Sequence, residues 1–281
     1  MKKVLWLTDH TIEDVPAGGA EITDSYVIQA GESLGYNISI VRPHQFKSAD
    51  LKTDLVIISN NYEFPRPAIN KVIDELPYIA YSHDCGRWKE VVRQHKDMFT
   101  KALGSIFLSP LHRDQFLPYL DGKNIYCVPP YMPLDFYDYG LIRNNKVIYA
   151  GNLFEGKGLY TVADFAAQNP KLQFDFYYKR SSKSVERRLK QLSNCNLIGY
   201  VPKEKLPEVL NKYSYFIHIP VDVEGFGRAA TEAYLCGCEM FINDKVAAFS
   251  FDWDYQDFRN NTLNGHYYFW DCVEEILKNE K

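Results

Sequence analysis

The feature that most constrains the fold is an alternation of short apolar runs with helical patterns along all 281 residues. In the first half, strands are predicted at residues 4–7, 38–41, 55–58, 78–81, 106–108 and 125–128. In the second half, strands are predicted at 147–150, 172–178, 196–198, 215–219 and 240–242. Helices are predicted around 22–34, after 157, over 185–192, over 203–213, after 227 and over 271–278. Strands that alternate with helices indicate an α/β protein with helices on both faces of parallel sheets.

A cluster of proline and turn residues separates the two series of strands. Residues 129–133 (PPYMP) are followed by Gly140 and by two asparagines at 144–145. Such residues interrupt regular structure, and the chain length suits one large or two ordinary domains. We therefore predict an N-terminal domain over 1–142 and a C-terminal domain over 143–281. In parallel sheets of this kind, ligands bind at the carboxyl ends of the strands.

Residues 224–232 (EGFGRAATE) are the most informative stretch for function. A buried strand is predicted before them and a helix after the glycines. The first N–H groups of a helix have no internal partner, and Gly225 and Gly227 let a ligand approach the backbone closely, so the stretch predicts an anion site. Glu224 and Glu232 can accept hydrogen bonds from hydroxyls. The predicted ligand therefore carries both phosphate and sugar hydroxyls; the alternative is a surface turn before a core helix.

Residues 224–237 closely resemble the E-x7-E signature of the retaining GT-B glycosyltransferases of family 4. The resemblance implies that Glu224 contacts the hydroxyls of the transferred sugar and that Glu232 contacts the ribose of the nucleotide. It implies that the residues between them also bind the donor, namely Gly225, Phe226, Gly227 and Arg228. It further implies the GT-B plan of two Rossmann-like, doubly wound parallel-sheet domains that face each other across a cleft. In that plan, residues 1–142 form the acceptor-side domain, and residues 143–281, including the C-terminal helix, form the domain that binds the nucleotide sugar.

Residues 149–158 (YAGNLFEGKG) resemble the G-R-L-x-x-x-K-G element of the same family. The resemblance implies that Lys157 neutralises the donor diphosphate as its bond to the sugar breaks. Asn152 is placed among the donor-binding residues, but most relatives have arginine there, and the missing charge could weaken leaving-group stabilisation. Nearby cations that could compensate are Arg143, Lys179, Arg180 and Arg228. The alternative for Lys157 is a surface lysine at a helix start, where the helix dipole disfavours a cation unless an anion binds.

Two short motifs in the first half complete the predicted site. Gly18 and Gly19 open a helix after the first strand and resemble the family's G-G-x-E element, which implies that donor and acceptor meet there; the alternative is a flexible loop. His83 follows the predicted strand 78–81, at the end where parallel sheets build sites. The family often has a histidine at this point, which implies a contact with the donor sugar. His83 could hydrogen-bond a sugar hydroxyl or help to orient the acceptor. Asp84 could fix the tautomer of His83 or cap the next helix.

Three further motifs have weaker implications. Residues 199–202 (GYVP) resemble the family's nucleobase-binding turn, in which backbone groups near Val201 would bind the base. Ser109 resembles a family serine that follows a strand, but it equally suits a helix N-cap. Residues 252–254 (DWD) allow a D-x-D metal interpretation, but they lie in a polar segment near the end of the chain. No spacing of His, Cys or Glu suggests zinc, so we predict neither a metal nor a cofactor.

Composition limits the partners and the compartment. The net charge of −4 gives no global attraction to nucleic acid or anionic membrane. The six cysteines form no C-x-x-C pair, and the apolar run at the N-terminus is too short for a signal peptide or a membrane span, so a reducing, cytoplasmic location is predicted. Residues 86–101 suggest a basic amphipathic helix, which is either a solvated face over a packed one or a contact with a membrane surface or polyanion.

By resemblance, the chain is a retaining, metal-independent glycosyltransferase that moves a hexose from a UDP- or GDP-sugar to an acceptor hydroxyl. Glu224, His83 and Lys157 are the predicted catalytic residues. Two alternatives stay open. One is a non-catalytic nucleotide-sugar-binding or scaffold protein, which Asn152 and the reduced length suggest. The other is a glycosyltransferase for a polyanionic acceptor such as nucleic acid. The identity of the acceptor and the oligomeric state do not follow from the sequence.

Overall fold

The structure is a computed structural model that describes residues 2–14, 18–48, 51–86, 90, 97–120 and 124–279. The chain divides into two compact units. The first unit comprises Met1–Tyr131 together with Asn260–Lys281, and the second comprises Met132–Arg259.

The first unit is built on a six-stranded sheet in which all neighbouring strands are parallel. Its strands are β1 (Lys3–Leu7), β2 (Asn37–Val41), β3 (Leu55–Ile58), β4 (Tyr78–Tyr81), β5 (Gly104–Phe107) and β6 (Ile125–Cys127). Its helices include α1 (Gly19–Ser33), α2 (Arg66–Glu75) and α3 (Pro110–Asp114), with 3-10 turns at Pro43–Ser48 and Leu117–Tyr119. The strand order is β2-β1-β3-β4-β5-β6. After β1 the chain forms β2 on one side of β1 and then β3 on the other side. The switch point, where the direction of strand addition reverses, therefore lies between β1 and β3.

The second unit is built on a five-stranded parallel sheet. Its strands are β7 (Asn144–Ala150), β8 (Gln173–Tyr177), β9 (Cys195–Gly199), β10 (Tyr213–His218) and β11 (Glu239–Ile242). Its helices are α4 (Leu159–Gln168), α5 (Lys183–Lys190), α6 (Leu206–Leu210) and α7 (Arg228–Leu235), and 3-10 turns lie at Glu155–Lys157, Lys203–Lys205 and Ala247–Ser250. The strand order β11-β10-β7-β8-β9 places the switch point of this sheet between β7 and β10. A last helix, α8 (Tyr255–Asn279), begins in this unit and ends in the first.

Burial explains why the central strands are continuous apolar runs. Every residue of β3 and of β4 is buried, as expected for parallel strands covered by helices on both faces. Each unit has its own hydrophobic cluster, one centred on residues such as Val56 and Phe107 and the other on residues such as Val147 and Phe176. The predicted fold class, α/β with two doubly wound parallel sheets, is confirmed, and every predicted strand is present with its ends within three residues.

The division of the chain differs from the predicted boundary at 142. Residues between 132 and 143 are held by the second unit: the Tyr139 N–H donates to Asn211 Oδ1 at 2.8 Å, and Arg143 Nη1 donates to the Tyr213 carbonyl at 3.0 Å. The end of α8 returns to the first unit, where Trp270 Nε1 donates to the Val27 carbonyl at 2.8 Å. The C-terminal helix thus belongs partly to the first unit and not to the second alone.

Two sequence predictions concern surfaces and membranes. Most of the predicted basic helix over 86–101 lies outside the described residues, because 87–89 and 91–96 are not among them. Of the helices that the structure describes, none is long and apolar enough to cross a bilayer.

Candidate functional site

The switch point of the second sheet brings together residues that are far apart in sequence. Lys157 ends the 3-10 turn that follows β7, and His218 is the last residue of β10. Glu224 follows β10 and forms an isolated bridge with Val246, its N–H donating to the Lys245 carbonyl at 3.0 Å. The three side chains therefore meet at the carboxyl ends of β7 and β10, where parallel sheets bind ligands.

Both carboxylate oxygens of Glu224 have a basic partner. Lys157 Nζ lies 2.5 Å from Oε1, and His218 Nε2 lies 2.9 Å from Oε2. Burial by itself would raise the pKa of Glu224, but the hydrogen bond and charge of His218 and the charge of Lys157 outweigh burial and lower the pKa to about 2. Glu224 is therefore ionised at neutral pH. The Lys157 side chain remains 46% exposed, so its ammonium can also meet a ligand.

The turn over 224–228 is shaped by glycine and anchored by an aromatic ring. Phe226 is buried, and its carbonyl accepts from the Ala248 N–H at 2.8 Å. Gly227 has φ of +87°, a left-handed conformation that favours glycine, and a Cβ there would lie 2.8 Å from Val246 Cγ1. Helix α7 begins at the next residue, Arg228. Its first N–H groups thus follow directly on Glu224 and Gly225, as the sequence predicts.

A second charged group forms around the start of α7. Arg228 Nη2 lies 3.7 Å from Glu232 Oε1, and both side chains are largely buried. Burial raises the pKa of Glu232, although the charges of Arg228 and Lys203 oppose this change. Burial lowers the pKa of Lys203 to about 8, the charge of Arg228 acts in the same direction, and Glu232 opposes both. Two cations beside one carboxylate leave an excess of positive charge, which suits an anionic ligand.

Asn152 connects the loop after β7 to the neighbouring loop after β8. Its Oδ1 accepts from the Arg180 N–H at 3.2 Å, and the Leu153 N–H donates to the Arg180 carbonyl at 2.9 Å. Asn152 and Leu153 therefore hold the backbone of Arg180 against the loop after β7. Val201, predicted near the nucleobase, lies half-buried between β9 and the 3-10 turn at Lys203–Lys205.

In the first unit, His83 is buried beyond the end of β4. Its Nε2 lies 2.8 Å from Asp24 Oδ1, and Asp24 Oδ2 accepts from Trp6 Nε1 at 3.1 Å and from Ser59 Oγ at 2.7 Å. Because a carboxylate only accepts, Asp24 fixes the tautomer with the proton on Nε2. The buried His83 Nδ1 has no hydrogen-bond partner among the described residues.

Of the two roles that the sequence suggested for Asp84, fixing the His83 tautomer or capping the next helix, the first is not observed. Asp24 of α1 fills that role, and Asp84 instead accepts from the Tyr62 hydroxyl. The role of Asp24 could not be predicted from the sequence, because only the tertiary fold brings α1 against the end of β4. Gly18 and Gly19 lie at the start of the same helix, where the Gly18 N–H donates to the Glu21 carboxylate at 2.6 Å.

The weaker motifs have structural roles. Ser109 is the N-cap of α3 and accepts from the His112 N–H at 3.1 Å. Asp254 similarly accepts from the Asp257 N–H at 2.8 Å at the start of α8, and Trp253 stacks on Phe251. Across the ranges that the structure describes, no group of three or more His, Cys, Asp or Glu side chains could hold a metal ion.

Sequence reasoning missed three residues that complete these groups: His218, Asp24 and Lys203. His218 carried a signal, since it is a histidine at the end of an otherwise apolar and aromatic strand, six positions before Glu224. Lys203 also follows a strand end closely. No sequence signal pointed to Asp24, because it occupies a helical position that is typical of a solvated face.

No protein-family model and no curated protein sequence matches this chain. Solved structures do match it. The chain is similar to a glycosyltransferase from Rickettsia africae, with a TM-score of 0.68 and 12% identity over 99% of both chains. It is also similar to Anabaena HepE in complex with UDP-glucose, with a TM-score of 0.64 and 14% identity over 99% of both chains.

A further match is AviGT4, a glycosyltransferase involved in avilamycin A biosynthesis, with a TM-score of 0.65 and 13% identity over 99% of this chain and 98% of that one. At these identities, the likeness is evidence for the fold alone. The two parallel sheets and these neighbours together show that the chain has the fold of the GT-B glycosyltransferases.

Proposed function

We propose that the protein is a retaining glycosyltransferase that moves a hexose from a nucleotide-diphosphate sugar to an acceptor hydroxyl. The observation that carries this proposal is the group formed by Lys157, Glu224 and His218 at the switch point of the second sheet, next to the glycine turn that opens α7. A cation, an ionised carboxylate and a helix N-terminus within one small region suit a ligand that joins a diphosphate to a sugar.

The proposed roles follow from the charges. Lys157 and the N–H groups around Gly227 and Arg228 stabilise the diphosphate as the glycosidic bond breaks. Glu224 stays ionised, so it accepts hydrogen bonds from hexose hydroxyls. Glu232 accepts from the ribose. His83, whose Nδ1 is buried without a partner among the described residues, is proposed to bind a sugar hydroxyl.

Retention and metal independence are parts of the same proposal. Salt-bridged to Lys157 and hydrogen-bonded to His218, Glu224 is a poor covalent nucleophile. We therefore propose the front-face route that the family resemblance implies, in which an oxygen of the leaving phosphate takes the proton of the acceptor hydroxyl. The cations around the turn would stabilise the leaving group without a metal ion. A UDP-sugar is the first donor to test, because the similar HepE structure contains UDP-glucose.

The compartment belongs to the proposal as well. All six cysteines are free thiols. A chain with several unpaired cysteines suits a reducing environment, which supports the proposed cytoplasmic location.

A second candidate is a protein that binds a nucleotide sugar without turning it over. Asn152 favours it, because the position lacks the cation that most relatives use against the diphosphate. The hydrogen bonds from the Arg180 N–H to Asn152 Oδ1 and from the Leu153 N–H to the Arg180 carbonyl favour the first candidate instead, since they hold the backbone of a second cationic residue beside that loop. The Arg180→Ala variant separates the two: it should slow turnover if Arg180 replaces the missing charge.

The experiment that tests the proposal is release of nucleoside diphosphate from UDP-, GDP-, ADP- and TDP-sugars, with and without EDTA. Wild type is compared with Glu224→Ala and Lys157→Ala, and with matched exposed controls, Glu239→Gln and Lys171→Ala. We expect slow, EDTA-insensitive hydrolysis of one donor that both site variants lose and both controls keep. The anomeric configuration of the product, measured by NMR, tests retention.

Two results would change the conclusion. Tight nucleotide binding without turnover, even with candidate acceptors present, would favour the non-catalytic alternative. Metal-dependent turnover that survives both site substitutions would remove Glu224 and Lys157 from the mechanism.

A further inference from the structure

Unsatisfied polar atoms collect at one end of the sheet in the first unit. Asn60 Oδ1, both amide atoms of Asn61 and His83 Nδ1 are buried, and none has a hydrogen-bond partner among the residues that the structure describes. The two asparagines follow β3, and His83 follows the adjacent strand β4. Asn60 is only 5% exposed and Asn61 only 3%. Buried polar groups are nearly always paired, so several unpaired ones in one place indicate that a ligand supplies their partners.

The strand order of the sheet also indicates a binding site near Asn60 and Asn61. The switch point lies between β1 and β3, and ligands of doubly wound sheets bind in the crevice outside the carboxyl ends of the strands at that point. The end of β1 contributes Asp9, and the end of β3 contributes Asn60 and Asn61. Two independent observations, unpaired atoms and strand order, therefore point to one crevice.

The backbone around the asparagines is held in position before any ligand binds. The Asp9 N–H donates to the Asn60 carbonyl at 2.7 Å. In return, the Asp9 carboxylate accepts from the Tyr62 N–H at 2.7 Å and from the Glu63 N–H at 3.0 Å. Asp9 thus fixes the loop that carries Asn60 and Asn61, and a preorganised loop binds a ligand at a smaller entropic cost.

The charges around the crevice indicate which ligand fits. Asp9 and Asp84 follow the ends of β1 and β4, and Asp24 lies against His83. Arg42, which follows β2, is already bound to both oxygens of Asp14. Among the described residues of this group, three are carboxylates, and the one arginine is ion-paired to Asp14 through Nη2 while its Nε lacks a partner. A phosphate or carboxylate ligand would therefore meet mainly negative charge from the described residues of this group. A carboxamide, in contrast, both donates and accepts, as a sugar hydroxyl does.

We propose that this crevice binds a neutral, hydroxyl-rich ligand, a sugar, through the carboxamides of Asn60 and Asn61. His83 Nδ1, which was assigned above to a sugar hydroxyl, lies beyond the end of the adjacent strand β4. The claim that the bound sugar is the acceptor of glycosyl transfer rests on the function proposed above. The claim that a sugar binds in this crevice does not depend on that function. The inference disfavours the polyanionic acceptor that the sequence left open.

The test is binding of neutral methyl glycosides of glucose, galactose, mannose and N-acetylglucosamine to the full chain, measured by ligand-observed NMR. Methyl glucuronide is the matched anion, since it differs from methyl glucoside only by a carboxylate. Asn61→Asp keeps the shape of the side chain but replaces the amide donor by a negative charge. We expect it to weaken binding about tenfold, as for one lost hydrogen bond and its unpaired partner. Asn37→Asp makes the same change at an exposed site on β2 and should bind as wild type.

Asn61→Ala distinguishes binding from folding. The Asn61 amide makes no hydrogen bond in the free protein, so this variant should lose only packing contacts and stay folded while it loses the glycoside. A variant that stays folded and binds the glycoside as wild type does would overturn the proposal. So would a lack of binding by every neutral glycoside, or tighter binding of the glucuronide.

Donor hydrolysis, run in parallel, separates this inference from the proposed function. Glycoside binding without donor turnover would leave the sugar site standing and remove the glycosyltransferase proposal. Donor turnover without glycoside binding would do the reverse.

Discussion

The buried carboxylate of Glu224 shows how the site in the second unit offsets the cost of burying a charge with two basic partners. Glu224 would be costly as an isolated charge, and burial alone would favour its neutral form. Lys157 on one oxygen and His218 on the other reverse that preference. The same contacts that keep Glu224 ionised also orient it, so its stability and its proposed function depend on the same partners.

This balance predicts a pH dependence of stability. The pKa of Glu224 falls from the ordinary 4.5 to about 2 on folding, so the unfolded chain takes up the proton first as the pH drops. The stabilisation is present above pH 4.5 and is lost as the pH falls towards 2, and its upper limit is about 3 kcal/mol. In urea unfolding, the difference between wild type and Glu224→Gln should shrink over that window. Glu239→Gln should show a constant difference, and a constant difference for Glu224→Gln would contradict the prediction.

The lowered pKa of Lys203 predicts that ligand binding depends on pH. Its pKa is lowered to about 8, chiefly by burial and then by Arg228, so it carries its full charge only below that pH. If a nucleotide diphosphate binds beside it, affinity for UDP should fall as the pH rises from about 7 to about 9. Lys203→Arg stays charged over this range and should bind UDP with little change, as measured by calorimetry. An equal decline in the arginine variant would assign the titration to another group.

Among the secondary-structure elements, the turn before α4 places Lys157, and one glycine makes the turn possible. Gly158 has φ of +74°, and a Cβ added there would lie 1.7 Å from the Ile219 carbonyl oxygen. The backbone after β7 therefore approaches the backbone after β10 too closely for any side chain. This close approach brings Lys157 to Glu224.

Gly158→Ala should consequently damage both stability and activity. We expect a loss of at least about 3 kcal/mol, since the clash is with backbone and cannot be relieved by a rotamer change. Gly35→Ala is the matched control, because Gly35 has φ of +89° but nothing within 4 Å of the added Cβ. It should cost only the left-handed backbone strain, about 1 kcal/mol. Equal losses in chemical denaturation would show that strain, and not the close approach, requires glycine at 158.

Contiguous motifs were predictable and non-local partners were not. The strands, Lys157 and the turn over 224–228 follow from local patterns, because apolar runs and glycine turns act over a few residues. Asp24 and His83 are 59 residues apart, and the pairing depends on how α1 packs against the sheet. His218 was placed on its strand by its apolar neighbours, but its partner Glu224 was expected to meet only ligand.

Helix α8 shows tertiary packing overriding local propensity. The sequence predicts only 271–278, whereas the helix spans Tyr255–Asn279. Its first half is rich in asparagine, with a threonine and a glycine, which are weak helix formers. The buried Phe258, Phe269 and Trp270 supply the missing stability, because packing of an apolar face usually contributes more than propensity.

At the scale of the whole molecule, each unit has a core, a switch point and a candidate site of its own. The second unit offers cations and an ionised carboxylate for the proposed nucleotide sugar, and the first offers two adjacent carboxamides with unpaired atoms for the proposed neutral sugar. The sequence analysis located the first of these through a contiguous motif. The second could not be located, because it depends on the strand order of the sheet and on which side chains lack partners.

Because the end of α8 packs in the first unit, a mutation at Trp270 should destabilise the first unit more than the second. Trp270 is buried, donates to the Val27 carbonyl and stacks on Tyr36, and a Cβ on Gly31 would lie 2.3 Å from its ring. Trp270→Ala should cost about 3–5 kcal/mol, because the cavity would lie between α1 and α8. In hydrogen exchange, amides of β1 and β4 should lose protection, while those of β7 and β10, which line a separate core, should keep it.

Tyr268→Ala, on the same helix but 38% exposed, is the control and should change neither set of amides. Equal loss of protection in both sheets of the Trp270→Ala variant would mean that the two units unfold as one cooperative structure. Loss confined to the first sheet would mean that residues of α8, which follow the second unit in sequence, stabilise the proposed sugar site of the first. Binding of methyl glycosides should then fail in Trp270→Ala at temperatures where nucleotide binding by the second unit persists.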